Sequence, residues 1–185
     1  MKKKGFVFIS AILLVFLVGC GQQEFTDVKL DILEIDVSSE SITADGKLLT
    51  ICGADKAPND PLGENQSPQL SWKAVEGTES YVILMVDETA SWLHWCAKAE
   101  TSVEQGAFTN KEYVGPYPPK GSGVHDYRME VLALKELSEA ALENVDKQVN
   151  YKELIEQLDT VNSKTGNILA RGHVTAAFEH GDNNQ

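Results

Sequence analysis

Apolar and polar residues alternate in two short stretches, VKLDI (28–32) and LEIDV (33–37), as they do on half-buried strands. Ile32 and Leu33 are adjacent, so the phase slips and a bulge or turn is expected between them. KLLTIC (47–52) is a further short strand candidate, followed by a polar, Pro/Gly-rich loop, GADKAPNDPLGENQSP (53–68). YVILMVD (81–87) is almost wholly apolar, the pattern of a strand buried on both faces. WLHWCAKA (92–99), YRMEVLAL (127–134) and NILARGHVTAAF (167–178) are also strand candidates, the last closing the fold. Helical spacing is confined to the chain after Leu134. In NYKELIEQL (150–158), Leu154, Ile155 and Leu158 share a face, Asn150 is placed as N-cap and Glu153 follows three residues on. SEAALENV (138–145) is a second helical candidate. No internal repeat is visible. Short strands separated by turn residues, with helices at the periphery, predict a mainly-β fold, an antiparallel β-sandwich with a few peripheral helices.

The first residues stand apart from this pattern. MKKKGFVFISAILLVFLVGC has three lysines, an apolar run over residues 6–18, and small residues before Cys20. The run has the length of a signal-peptide core and is short for a membrane span. LVGC resembles the bacterial lipobox, which implies lipidation of Cys20 and removal of residues 1–19. The rival readings are an ordinary signal with an accidental cysteine and an uncleaved anchor. Three regions are therefore expected: a lipoprotein signal peptide over 1–19, a lipidated tether and first strand region over 20–39, and a domain over 40–180. The stretch GQQEFTD (21–27) has no apolar period and reads as tether. The expected location is the cell envelope, on the extracytoplasmic side of a membrane, held there by lipid.

Cleavage would leave 166 residues, enough for one sizeable core, and would take the formal net charge from −12 to −15. Such a surface disfavours nucleic acid and anionic lipid headgroups as partners. Outside the cytoplasm Cys52 and Cys96 can pair as a disulfide. They can equally sit as two separate buried thiols, and their positions in the sequence do not choose between these.

Four histidines are present. His173 lies in the last apolar stretch and His180 in the polar tail, where structural or solvated roles are expected. His94, between Trp92 and Trp95, needs a partner or a pocket if its strand is buried. His94 and Cys96 are two apart, which on a regular strand puts them on one face and admits a Cys–His nucleophile. No oxyanion-hole motif accompanies the pair, and ENQSP lacks the G-x-S-x-G elbow that would activate Ser67. Asp87 with two histidines is a conceivable metal set, but no compact ligand spacing supports it, so neither metal nor cofactor is expected. Trp72, Trp92 and Trp95 read as core, Lys120 as a solvated loop residue, and the acidic run from 136 to 156 as a solvated face.

Three stretches gain meaning together: GENQSPQLSW (63–72), VDETASWLHW (86–95) and GPYPPKGSGVHDY (115–127). In this order they resemble the phosphatidylethanolamine-binding protein family, whose bacterial members are also called Raf-kinase-inhibitor-like. The resemblance implies two antiparallel sheets, peripheral helices and a small pocket for phosphate-like anions. Carried over by position, that pocket would be lined by Asp87, His94, Gly115, Pro119, His125 and Tyr127. DETAS (87–91) departs from the family's D-P-D-A-P, and Tyr117 stands where animal members carry a small residue and would narrow the mouth.

The residue chemistry is compatible with that pocket. Gly121 and Gly123 permit a tight turn with exposed amides, the histidines and Tyr127 can donate to phosphate oxygens, and Asp87 can orient one imidazole or accept a ligand ammonium. The expected function is non-enzymatic binding of a small phosphorylated or anionic ligand, such as phosphate or a phosphoethanolamine-like phospholipid headgroup. The alternative is a protein-interaction module that inhibits or modulates a protease or another envelope partner, and a Cys–His hydrolase stands third.

Overall fold

The structure is a computed structural model and describes residues 24–56 and 61–181; Cys20 and the leader before it lie outside the described residues. The core of the fold is a six-stranded sheet. Its strands are β1 (Leu33–Glu34), β4 (Ser80–Asp87), β5 (Trp92–Ala99), β7 (His125–Leu134), β8 (Lys147–Gln148) and β9 (Ile168–Phe178), in the order β1-β9-β7-β4-β5-β8. A three-stranded sheet of β2 (Val37–Ser38), β3 (Leu70–Trp72) and β6 (Ser102–Val103) faces it, in the order β2-β3-β6. The fold is mainly β, as the hydrophobic pattern implies. One pairing departs from the antiparallel expectation, because β1 runs parallel to β9.

The large sheet is apolar on both sides, which explains the unbroken run in β4. Tyr81, Ile83 and Met85 point between the two sheets, where they join Leu70, Trp72 and Val103 of the small sheet and Tyr127, Met129 and Val131 of β7. Val82, Leu84 and Val86 point the other way and are covered by the helix α1 (Tyr151–Asp159) through Leu154, Ile155 and Leu158. The Asn150 side chain accepts from the Glu153 amide at 3.3 Å and so starts α1 where the sequence places it. The stretch 138–145 forms only a short 3-10 turn, Glu139–Ala141.

Two expectations are corrected here. KLLTIC contributes isolated bridges at Lys47 and Leu48 and a 3-10 turn, Thr50–Cys52, in place of a strand. The described part of the tether stretch is docked. The Phe25 ring lies 4.7 Å from that of Tyr151, Arg128 stands 5.3 Å over it, and Asp27 bridges Arg128 and Arg171 at 3.6 and 3.5 Å. The partners of Phe25, Tyr151 of α1 and Arg128 of β7, lie more than a hundred positions away, so no local period marked it.

Of the two readings left open for the cysteines, the structure has the separate buried thiols. Cys52 and Cys96 are both free and buried. Cys52 belongs to the core between the sheets and Cys96 to the core under α1, so the large sheet separates them. Burial pushes the Cys52 thiol up to about 12 and the Cys96 thiol up to about 11. Burial thus favours the neutral thiol at both positions.

Candidate functional site

The end of the large sheet that carries Asp87 and His125 gathers the polar residues. The register of β4 and β7 sets Asp87 opposite Tyr127, and His125 lies two residues before Tyr127 on the same face. Asp87 Oδ1 accepts the amides of Thr89 and Ala90 at 2.8 and 3.0 Å, closing the β4–β5 hairpin. Its second oxygen accepts from His125 Nδ1 at 2.6 Å, and both side chains are buried. One carboxylate thus shapes the turn and holds a histidine. Both donors, Thr89 and Ala90, lie outside the two positions where D-P-D-A-P carries proline, which here are Glu88 and Ser91.

His94 reaches this cluster through an irregularity. Met85 pairs with Trp95 and Val86 with Leu93, which leaves His94 as an extra residue in β5. Leu93 and Cys96 face α1, while Trp95 faces the core between the sheets. His94 also turns inward, its ring meeting the edge of Tyr127 at 5.3 Å. His94 and Cys96 therefore lie on opposite faces, contrary to the expectation from two-residue spacing, and Cys96 has no base in His94. The His94 backbone oxygen accepts from Val114 N at 2.8 Å, and its Nδ1 donates to Val114 O at 2.8 Å. That bond fixes the proton on Nδ1. Burial lowers the pKa of the ring, against the raising influence of the Val114 carbonyl and Asp87, so the neutral form is favoured.

Tyr127 is fully buried, and its hydroxyl makes no hydrogen bond of full geometry among the described residues, the Asp87 carboxylate being the acceptor beside it. Burial and the adjacent Asp87 carboxylate push its pKa well above the usual phenol value, so it is a donor at any physiological pH.

The loop 115–124 closes over these groups. Gly115 donates its amide to Asn65 Oδ1 at 2.8 Å and lies against the backbone of Cys52 and Gly53. Pro119 is exposed, and its carbonyl accepts the amide and hydroxyl of Ser122 at 3.0 and 2.8 Å. Gly121 and Gly123, at φ +83° and +84°, let the turn fold Ser122 back until its oxygen is 3.0 Å from His125 Nε2. Lys120 is exposed. Tyr117 packs the edge of its ring against His94 at 5.6 Å, and its hydroxyl donates to Asp146 Oδ1. A cavity of about 390 Å³ opens beside it, lined by Lys56, Asn65, Val114, Tyr117 and Asp146 among others.

The structure thus brings Asp87, His94, His125 and Tyr127 together, and gives Gly115 and Pro119 backbone roles in the loop above them. Sequence reasoning missed Ser122, Val114 and Asp146. Ser122 carried a signal, being enclosed by the two glycines of that loop. Val114 acts through its carbonyl and Asp146 lies 29 positions from Tyr117, so neither carried one.

Fold and geometry together define a β-sandwich with a buried polar cluster at one end of its large sheet. The chain belongs to the phosphatidylethanolamine-binding protein family, whose model matches residues 38–179. It is 26% identical over 140 residues to a UPF0098 protein of Aquifex aeolicus (strain VF5), covering 63% of this chain and 76% of that protein. Among solved structures it is similar to Escherichia coli YbcL, described as a new member of the mammalian PEBP family. The TM-score is 0.58 at 22% identity, over 79% of this chain and 98% of that one. It is also similar to CT736 of Chlamydia trachomatis, described as a putative phosphatidylethanolamine-binding protein homologue. There the TM-score is 0.55 at 19% identity, over 79% and 97% of the two chains.

Proposed function

We propose that this protein binds a small phosphorylated or otherwise anionic ligand without transforming it, in the pocket formed by Asp87, His94, His125 and Tyr127. Family membership supports binding of a ligand or a protein in general. The observation that carries the narrower reading is the Tyr127 hydroxyl, fully buried beside the His94 ring with only the Asp87 carboxylate near it and no hydrogen bond of full geometry. Such a group costs about 1–3 kcal/mol unless something satisfies it. A protein surface does not reach into so enclosed a point, whereas a ligand of a few atoms does.

The pocket's polarity narrows the ligand further. Tyr127 offers an O–H, and neutral His94, with its proton on Nδ1, offers a lone pair on Nε2. A singly protonated phosphate, with one P–O⁻ and one P–OH, complements both. Above the ligand's second ionisation, about pH 6 for a phosphate monoester, binding must take up a proton. Affinity is therefore expected to fall with rising pH, by up to about tenfold per unit. Calorimetry with phosphate, phosphoethanolamine and phosphocholine checks this on wild type, His94→Ala and His125→Ala, in two buffers of different ionisation enthalpy. His94→Ala is expected to lose about ten- to a hundredfold in affinity, and His125→Ala less, because both its ring nitrogens are already bonded to Asp87 and Ser122. No saturable binding by wild type to any of the three sinks the reading, and equal binding by all three proteins moves the pocket elsewhere.

The same proposal places the domain in the cell envelope, anchored by lipid on Cys20, because a basic segment, an apolar run and a lipobox-like LVGC follow one another in order. Intact mass of membrane-extracted protein is expected to show a chain beginning at a lipidated Cys20. A mature chain still beginning at Met1 refutes the anchor and leaves the pocket untouched.

A further inference from the structure

We infer that Tyr117 is a latched gate that sets the size of the ligand, admitting a free oxyanion and resisting its esters. The inference rests on the proposed anion pocket and adds a specificity device to it. The polar cluster is sealed: His94, His125 and Tyr127 are 3%, 6% and 0% exposed. Tyr117 is only half-buried, and Asp146 is exposed, so the seal on the His94 side lies at the surface. The Tyr117 ring packs against His94 with centroids 5.6 Å apart, and the same residue lines the 390 Å³ cavity. The ring thus stands between a histidine that faces the ligand and a space large enough for a small organic group.

The latch is specific. Asp146 Oδ1 accepts both the Tyr117 hydroxyl and Trp92 Nε1, the latter at 3.1 Å. Asp146 is itself held in place. Its amide donates to Leu93 O at 2.7 Å, and its backbone sits in the left-handed region at φ +63°. A non-glycine residue adopts that conformation at a cost, which here sets the carboxylate between two donors.

Pro116 and Pro118 flank Tyr117 and fix the backbone dihedral on either side. Opening therefore proceeds by rotation of the Tyr117 side chain, with the loop left in place. In the proposed pocket a phosphate lies beneath the closed ring. The carbon arm of a phosphate ester needs the volume the ring occupies, and with the ring turned out the arm extends into the cavity. Ester binding thus carries the cost of breaking the latch, and phosphate binding does not.

The test measures inorganic phosphate, methyl phosphate and glycerol 3-phosphate by calorimetry on wild type, Tyr117→Ala and Tyr117→Phe. Wild type is expected to prefer phosphate to glycerol 3-phosphate at least about tenfold. Tyr117→Ala is expected to bring the two within about threefold and to change phosphate affinity by less than that. Tyr117→Phe keeps the ring and loses the latch, and is expected to narrow the preference by about fivefold, which preserves the test if the alanine variant does not fold. Methyl phosphate should fall between the other two ligands. A wild type that binds the ester as well as phosphate, or variants that bind phosphate with the wild-type preference intact, overturns the gate and leaves the pocket standing. Absence of phosphate binding in every protein overturns the pocket, and the gate with it.

Discussion

Asp87→Ala is expected to lower the stability of the domain by about 3–5 kcal/mol and to abolish phosphate binding by whatever protein remains folded. The size follows from how many groups depend on one carboxylate. Oδ1 satisfies the Thr89 and Ala90 amides, and Oδ2 holds His125 at 2.6 Å, with the two side chains 4% and 8% exposed. Alanine leaves a buried imidazole whose orienting partner is gone, and removing one member of a buried pair strands the other. It also opens the β4–β5 hairpin at its closing residue, where His125 faces the turn from β7. Asp87→Asn is the control. Its amide oxygen can still serve one side, so the cost is expected to be nearer that of one net hydrogen bond to a charged group, about 1.5–3 kcal/mol. Urea unfolding of the three proteins measures both, provided the slope with denaturant is unchanged. A loss below about 1 kcal/mol for the alanine variant would show that turn and histidine are held by something other than Asp87.

Much of this arrangement is legible in the order of residues along the chain, and the part that is not has a physical cause. β4 stands out because burial on both faces demands an unbroken apolar run, and Tyr81 to Val86 is such a run. The limits of β5 are equally plain in WLHWCAKA, while its internal phase is hidden. A bulge adds one residue without changing composition, so counting by twos puts His94 and Cys96 together when the sheet lies between them. The small sheet escapes notice because two- and three-residue strands are too short to show a period. In the site, His125 and Tyr127 are close in sequence and in space, so the loop that delivers them is conspicuous. Asp146, Val114 and the docked Phe25 act through partners tens of residues away, and nothing local in the chain advertises such a contact.

Gly115→Ala is expected to cost about 3 kcal/mol or more, which for a domain of this length is a fall in melting temperature of about 6–12 °C. Its backbone is not left-handed, so the requirement for glycine is one of space. A Cβ there would lie 2.2 Å from the Cys52 carbonyl oxygen, 2.6 Å from the Gly53 carbonyl carbon and 2.7 Å from the Ala54 amide nitrogen. All three are main-chain atoms, so no rotamer change relieves the overlap. Nor can the opposing segment withdraw freely. The Tyr113 hydroxyl donates to Cys52 O at 2.7 Å, the Gly53 amide to Thr50 O at 2.9 Å, and the Ala54 amide to Pro116 O at 2.9 Å. Something in that network must break, and the nearest candidate is the loop itself, whose Val114 carbonyl, one residue away, holds His94. The variant should therefore lose phosphate affinity together with stability, although Gly115 itself donates its amide to Asn65. Gly121→Ala separates space from conformation. A Cβ there meets nothing within 4 Å, and its φ of +83° is the sole objection. That strain costs roughly 1–2 kcal/mol. Thermal unfolding of the two variants side by side decides the matter: if Gly115→Ala is no more destabilising than Gly121→Ala, close approach of the two loops is not what keeps glycine at 115.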